Sequence, residues 1–243
     1  MHFDIVTLFP SIWPALEHGI IERCYQQQLY TRTLWQLREF ADQPDGRIDD
    51  KPYGGGPGML MQYAPLTRCI KAIKQKNTSP THVIQLDPTG EPLDQSLLQT
   101  LLKKTHITLI CGRYEGIDQR FTNTHVDTCV SVGKFVLSGG DLPAMLMVDA
   151  LVRQLPGALG NALSSTQDSY QTWLLDHPHY TRPSDIDEQS VPKVLLSGDH
   201  QAISTWQRQQ QLGRTWLAGQ LINQTLNEKD TQLLKAFIKD LNH

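Results

Sequence analysis

The residues best suited to chemistry are glycine clusters that follow apolar runs. Val130–Leu137 has the β-branched and aromatic bias of a buried strand, and Ser138–Asp141 reads S-G-G-D. Adjacent glycines adopt backbone angles closed to other residues and let a ligand approach the main chain. Backbone N–H groups at a strand-to-helix junction can bind an adenine edge, a carboxylate or a phosphate. An ordinary strand–helix connection has similar residues, so this turn alone does not establish a site.

Two more glycine-bearing loops follow predicted strands. The strand Val83–Asp87 leads into Pro88–Gly90, and the strand Ile107–Cys111 leads into Gly112–Asp118. With a predicted helix at Gln95–Lys104 between them, the alternation indicates an α/β fold, a mainly parallel sheet with helices on both faces. Ligands of such sheets bind beyond the carboxyl ends of the strands. The three loops are therefore expected to converge on one small-molecule site.

Further elements would complete this domain. The helix after Gly140 is apolar nearly all round, which indicates burial in a core or at a subunit contact. Asp141 is the expected helix N-cap, and Pro143 suits the first turn. The remaining predicted elements are strands at Phe3–Leu8 and Arg32–Leu37 and helices at Pro10–Gln28, Pro65–Lys76 and Gln119–Thr124.

A basic and aromatic loop precedes Met59. Asp42–Gly58 is rich in Gly, Pro and Asp, which predicts a loop, and it contains Lys51 and Tyr53 just before the run Gly54–Gly58. A flexible surface loop is the plain interpretation, although the composition also suits close approach to a ligand. No Gly-Lys-Ser/Thr follows, so the run is not a P-loop.

The last third of the chain changes character. Asn161–Tyr170 is small, polar and aperiodic, which predicts a mobile linker. We expect an α/β domain at 1–160, the linker at 161–174 and a helical domain at 175–243. In the last of these, one helix is predicted to start near Gly198-Asp199 and continue through Leu212, and a second to cover Asp230–Leu241. His177 and His179 flank Pro178, but two histidines are weak support for a metal site, and we predict none.

Composition limits the partners. The 243 residues are 39% hydrophobic, carry a net charge of -3 and lack an apolar run long enough to span a membrane. The N-terminus has no basic region and carries Asp4, unlike a signal peptide, and the four cysteines form no CxxC pair. These features predict a cytoplasmic protein. Any RNA partner would have to be bound by local patches rather than by bulk charge.

Four stretches taken together resemble one family. They read K-P-Y-G-G-G-P-G-M, C-G-R-Y-E-G-I-D, S-V-G-K-F-V-L-S-G-G-D-L-P-A-M and L-L-D-H-P-H-Y-T-R-P. In this order they are similar to the bacterial tRNA (guanine-N1)-methyltransferases of the SPOUT class, the TrmD family, and the similarity runs from Met1 to nearly the end of the chain. The resemblance implies a trefoil-knotted α/β domain, S-adenosylmethionine as methyl donor, a homodimer with its active site between subunits, and tRNA with guanine at position 37 as substrate.

The resemblance also assigns residues. Arg153 and Asp168 match the family's two catalytic positions, Asp168 as the base that removes the N1 proton and Arg153 as the cation that stabilises charge on O6. A plainer interpretation makes Arg153 the partner of Asp149 and Asp168 a turn residue or helix cap. The implied cofactor-binding residues are Leu86, Asp87, Pro88, Gly112, Tyr114, Glu115, Gly116, Ser131, Val132, Gly133, Phe135, Leu137, Gly139, Gly140 and Pro143.

RNA contacts are expected from basic and aromatic side chains, namely Lys51, Tyr53, Arg182, Arg208 and Arg214. Two positions depart from the family pattern, since Lys134 stands where an acidic residue is common and Phe135 where tyrosine is commoner. Some family members need magnesium, but no carboxylate cluster identifies a site. The alternatives are a SPOUT methyltransferase acting on another RNA, and an RNA-binding module that keeps the fold without transferring methyl groups.

Overall fold

The computed structural model describes residues 1–77, 79–160, 168–222 and 224–241. The chain divides into two compact units, Met1–Ala162 and Leu163–His243. Within the described part of the chain, no helix combines the length and the apolar character needed to cross a membrane.

The first unit is built on a five-stranded sheet whose neighbouring strands all run parallel, in the order β2-β1-β6-β5-β7. A short antiparallel pair, β3 with β4, lies outside it. The strands are β1 (His2–Thr7), β2 (Thr31–Gln36), β3 (Asp49–Asp50), β4 (Leu60–Met61), β5 (His82–Pro92), β6 (His106–Ile110) and β7 (Thr128–Ser131).

Helices cover both faces of this sheet, as the alternating pattern predicts. Phe3 and Ile5 of β1 belong to one buried cluster and Val6 to another, because successive side chains of a strand point to opposite faces. The first cluster includes Leu151 of α5, and the second includes Ile70 of α2. The helices of this unit are α1 (Gly19–Gln26), α2 (Tyr63–Lys76), α3 (Gln95–Leu101), α4 (Gln119–His125) and α5 (Asp141–Val152), with 3-10 helices at Pro10–Leu16 and Leu37–Phe40.

Three predictions for this unit are wrong in detail. The strand predicted over Val130–Leu137 ends at Ser131, and the apolar residues beyond it lie in an exposed loop. The helix predicted from Pro10 is two elements, a 3-10 helix containing Pro14 and then α1. Gly140, not Asp141, is the N-cap of α5, because the Asp141 carboxylate is buried and bonded elsewhere.

The second unit contains helices at Lys193–Leu196, His200–Leu217 and Glu228–Leu241 and a two-stranded pair, Asp185–Ile186 with Gln189–Ser190. Asp199 caps the longest helix by accepting hydrogen bonds from Gln201 and Ala202. Arg208 on that helix forms an ion pair with Asp230, at 3.0 and 2.7 Å, which joins it to the last helix. Part of the predicted linker, 161–167, lies outside the described residues.

Candidate functional site

A cavity of about 440 Å³ opens at the carboxyl ends of β6 and β7 and at an irregularity within the neighbouring strand β5. Every residue that the family resemblance assigns to cofactor binding lines it, from Leu86 to Pro143. The structure therefore brings together all three predicted loops. The remaining lining residues are Gln85, Thr89, Arg113, Ile117, Gln119, Val130 and Val136.

The first wall is an irregularity in β5. Leu86 and Glu91 both pair with Val130 of β7, so the residues between them bulge out of the strand. Burial opposes ionisation of Asp87 in this bulge, but hydrogen bonds from the Thr89 hydroxyl and backbone and from Gln85 outweigh it and lower the pKa of the carboxyl group. Asp87 is thus an ionised group with part of its surface exposed in the cavity.

The second wall is the loop after β6. Tyr114 has φ +61 and Gly116 has φ +128, a left-handed backbone that turns the loop sharply. Burial raises the pKa of Tyr114, with Asp49 adding to the effect. Backbone hydrogen bonds join this loop to β4 and to the residue before it. Glu115 N donates to Met59 O at 2.9 Å, and Met61 N donates to Gly116 O at 2.9 Å.

The third wall runs from β7 to α5. The Ser131 hydroxyl donates to Gly133 O at 3.0 Å, and the Phe135 ring covers Gly133 so closely that a Cβ there would overlap it. Gly140 N donates to Gly112 O at 2.8 Å. A Cβ on Gly140 would lie 2.8 Å from Gly112 N, so at this point the two loops meet backbone to backbone.

Arg113 and Asp141 fasten the second wall to the third. Arg113 donates to Asp141 from Nε at 3.0 Å and from Nη2 at 2.7 Å, and Nη1 donates to Ser138 O at 3.2 Å. The Thr7 hydroxyl donates to the other Asp141 oxygen. Sequence reasoning missed this group, because its members lie far apart in the chain and only folding brings them together.

The two predicted catalytic residues lie in different units. Arg153 is the exposed C-cap residue that ends α5. Asp168 is half-buried, and its carbonyl oxygen accepts a hydrogen bond from Gln171 N at 3.3 Å. Their catalytic roles stay predictions.

The predicted RNA contacts also divide between the units. In the first unit Lys51 is exposed and Tyr53 is 99% exposed, and in the second Arg182 and Arg214 are exposed. Arg208 differs from these, because its guanidinium is bound to Asp230 and lies 5.9 Å from the Trp173 ring. Those contacts give Arg208 a structural explanation that the sequence did not suggest.

Two groups of side chains among the described residues have the spacing of metal ligands. They are His2 with Asp4 and His106, and Asp176 with His177 and His179. Neither group lines the cavity, and magnesium prefers oxygen ligands to imidazole. Lys134, the charge that departs from the family pattern, is exposed and lies outside the lining set.

Comparisons with known proteins agree with the resemblance. The family described as tRNA (Guanine-1)-methyltransferase TrmD matches residues 1–224. The chain is 45% identical over 238 residues to a tRNA (guanine-N(1)-)-methyltransferase of Coxiella burnetii (strain Dugway 5J108-111), covering 97% of each chain. It is 48% identical over 216 residues to a protein of the same name from Hydrogenovibrio crunogenus, covering 88% of this chain and 91% of the relative.

A solved structure is similar as well. The tRNA (m1G37) methyltransferase from Aquifex aeolicus superposes with a TM-score of 0.71 at 37% identity, covering 85% of this chain and 87% of that one. Sequence and structure thus agree over most of the chain. The chain belongs to the tRNA (guanine-1)-methyltransferase TrmD family.

Proposed function

We propose that this chain is an enzyme that transfers a methyl group from S-adenosylmethionine to N1 of guanine 37 in tRNA, next to the anticodon. The observation that carries the proposal is the cavity formed by the bulge of β5 and the loops that follow β6 and β7, in a chain of this family. A tRNA and the methyl donor are then its substrates.

The cavity fits such a methyl donor. Its volume of about 440 Å³ lies within the usual range for small-molecule sites. Phe135, Leu137 and Pro143 offer apolar surface, while the loops around Gly112 and Gly140 offer backbone groups that no side chain covers. When bound, S-adenosylmethionine supplies a methyl group already activated as a sulfonium.

Asp168 and Arg153 would act on the guanine. N1 carries a proton and is a poor nucleophile until that proton leaves, so a carboxylate within hydrogen-bonding reach is needed, and Asp168 supplies it. Deprotonation shifts negative charge onto O6, which the Arg153 guanidinium stabilises. The guanine must leave its stack to reach these groups.

We also propose a homodimer in which Asp168 comes from the partner subunit. On α5 an exposed stripe contains Leu142, Leu146, Asp149 and Arg153, spaced to share one helix face. Leu142 is 60% exposed and Leu146 is 50% exposed, which suits an apolar contact. A second copy bound there would lie beside Arg153 and make the active site shared.

The finer features of the family complete the proposal. The three loops would be the crossing segments of a SPOUT trefoil knot, and the second unit would be the helical tRNA-binding domain behind a mobile linker. Lys51, Tyr53, Arg182 and Arg214 would contact RNA, since cations suit phosphates and aromatic rings suit unstacked bases. We also propose a cytoplasmic location.

Methyl transfer tests the function directly. The purified chain is incubated with S-adenosylmethionine labelled in its methyl group and with tRNA transcripts that carry guanine or adenine at position 37. We expect label in the guanine transcript alone. Equal labelling of both transcripts would overturn the substrate assignment, and no labelling with intact tRNA binding would favour an RNA-binding module.

A further inference from the structure

The buried carboxylate of Asp141 has no part in the proposed methyl transfer. Its residue is 0% exposed, although a carboxylate is seldom fully buried unless it is paired. It does not line the cavity, so it is not placed to contact a bound methyl donor. Its hydrogen-bond partners nevertheless lie close to the cavity or at its edge: Cys111 and Arg113 follow β6, whose loop lines the cavity, and Thr7 ends β1.

Those contacts join three elements. Arg113, from the loop after β6, makes two hydrogen bonds to one Asp141 oxygen, at 3.0 and 2.7 Å. Thr7, the last residue of β1, donates to the other oxygen. Asp141 itself is the first residue of α5, where a negative charge is favoured by the helix dipole.

Arg113 extends the connection to the third wall. Its Nη1 donates to the Ser138 carbonyl at 3.2 Å, and its guanidinium lies 4.6 Å from the Phe9 ring. Gly139 sits against this side chain so closely that any Cβ there would overlap the guanidinium. The position of the turn from Ser138 to Gly140 is therefore fixed by the same guanidinium that neutralises Asp141.

We propose that Arg113 and Asp141 are a positioning pair for the methyl donor. The pair sets the separation between the loop at Gly112 and the turn at Gly140, whose backbone groups form two walls of the cavity. This inference rests on the proposed function, because it assigns the pair to binding S-adenosylmethionine. Asp141 acts through Arg113 and the turn and is not a catalytic residue.

The test is Asp141→Asn, which keeps the size of the side chain and its bond from Thr7 but removes the charge. We expect the Kd and KM for S-adenosylmethionine to rise about tenfold, the effect of one charge-assisted hydrogen bond. Turnover at saturating donor should change by less than about twofold, since loss of binding alone raises KM without lowering kcat. Calorimetric titration of the full chain with S-adenosylmethionine gives Kd, and the methyl-transfer assay gives KM and kcat.

Glu17→Gln is the matched control. Glu17 pairs with Arg32 at 2.9 Å in the same unit, away from the cavity, so breaking that pair should leave the Kd for S-adenosylmethionine unchanged. Arg113→Lys keeps a cation but loses the two-bond fork, and it should also weaken binding. In the double variant with Asp141→Asn the loss should be smaller than the two single losses combined, because the residues act together.

The outcomes separate this inference from the proposed function. If the wild-type chain fails to bind S-adenosylmethionine, the proposed function fails. If the wild type binds and Asp141→Asn binds within about twofold of it, the positioning pair is overturned. If Asp141→Asn does not fold, Arg113→Lys decides, and an unchanged Kd in that variant would overturn the pair in the same way.

Discussion

Two buried carboxylates at opposite ends of the same sheet have different partners. Asp4, near the amino end of β1, is 1% exposed and accepts hydrogen bonds from Trp35 at 2.6 Å, Asn77 at 2.8 Å and His106 at 2.6 Å. Asp141, at the carboxyl end, is bound chiefly by Arg113. Both satisfy the rule that a buried charge must be paired.

The difference lies in what each carboxylate connects. The partners of Asp4 come from strands and from the end of α2, elements that other contacts already pack into the core. Of the partners of Asp141, Thr7 ends β1, and Arg113 lies in the loop after β6 and donates to Ser138 in the turn before α5, so the group connects two walls of the cavity. We therefore expect changes at Asp4 to alter the stability of the fold and changes at Asp141 to alter the binding of small molecules.

A third carboxylate, Asp168, should affect neither stability nor donor binding. Asp168→Asn removes the proposed base while keeping size and polarity, so turnover should fall about 10²- to 10⁴-fold. The Kd for S-adenosylmethionine and the Tm should stay near those of the wild type. Single-turnover methyl transfer to tRNA measures the loss, and near-normal turnover would show that Asp168 is only a turn residue.

Asp4→Asn tests the amino end of the sheet. The new amide would present N–H groups to the donors of Trp35, Asn77 and His106, leaving buried donors unpaired. We expect the free energy of unfolding to fall by about 3 kcal/mol. Urea unfolding measures it, with Asp42→Asn as the control, since its exposed pair with Arg68 at 2.8 Å should contribute less than about 1 kcal/mol. A large change in the Kd for S-adenosylmethionine in Asp4→Asn would contradict the expectation that Asp4 affects stability and Asp141 affects binding.

The sequence predicts the walls of the site better than the groups that hold them. Glycines directly after apolar strands are visible in the local sequence and indicate loops that a ligand can approach. A parallel sheet brings the ends of such strands together, so the cavity could be predicted. Asp141 looks locally like a helix N-cap because Asp is common there. Only the fold shows that it pairs with Arg113 and Thr7 instead.

The same limit explains the strand that ends early. Phe135, Val136 and Leu137 have strand-like composition, but Gly133 and the turn at Ser138 leave them in an exposed loop of the cavity wall. A β-branched or aromatic residue suits any half-buried surface, so its type alone does not distinguish a strand of the sheet from a loop in a cavity wall. The Asp4 group was missed for a related reason, since its donors are distant in sequence and each has an ordinary local explanation.

Low pH should destabilise the amino end of the sheet, because it protonates Asp4. Burial opposes its ionisation, but hydrogen bonds from His2, Trp35 and His106 outweigh that effect and lower its pKa from 3.8 to about 2. A group whose pKa is lower in the folded than in the unfolded chain stabilises the fold at pH values above its unfolded pKa. Asp4 should therefore contribute about 2 kcal/mol to the free energy of unfolding near neutral pH.

This contribution should be lost as pH falls from about 4 toward about 2. Urea unfolding of wild type and Asp4→Asn across that interval measures it, and the difference between the two proteins should shrink as pH falls. A difference that stays constant with pH would show that the charge of Asp4 is not what stabilises the sheet.

Gly140→Ala tests the carboxyl end with the smallest chemical change. Gly140 has φ -81, which alanine adopts freely, so the effect would come from contact alone. The added methyl group would lie 2.8 Å from Gly112 N and 2.9 Å from the Cα of Cys111, and backbone cannot rotate away as a side chain can. The two walls must separate, and we expect the Kd for S-adenosylmethionine to rise about tenfold.

Gly160→Ala is the control for that change, since a Cβ there meets nothing within 4 Å. Its Kd should match the wild type. If Gly140→Ala instead lowered the Tm while leaving the Kd unchanged, the contact between the two loops would serve the fold, as the Asp4 group does, and the contrast between the two ends of the sheet would disappear.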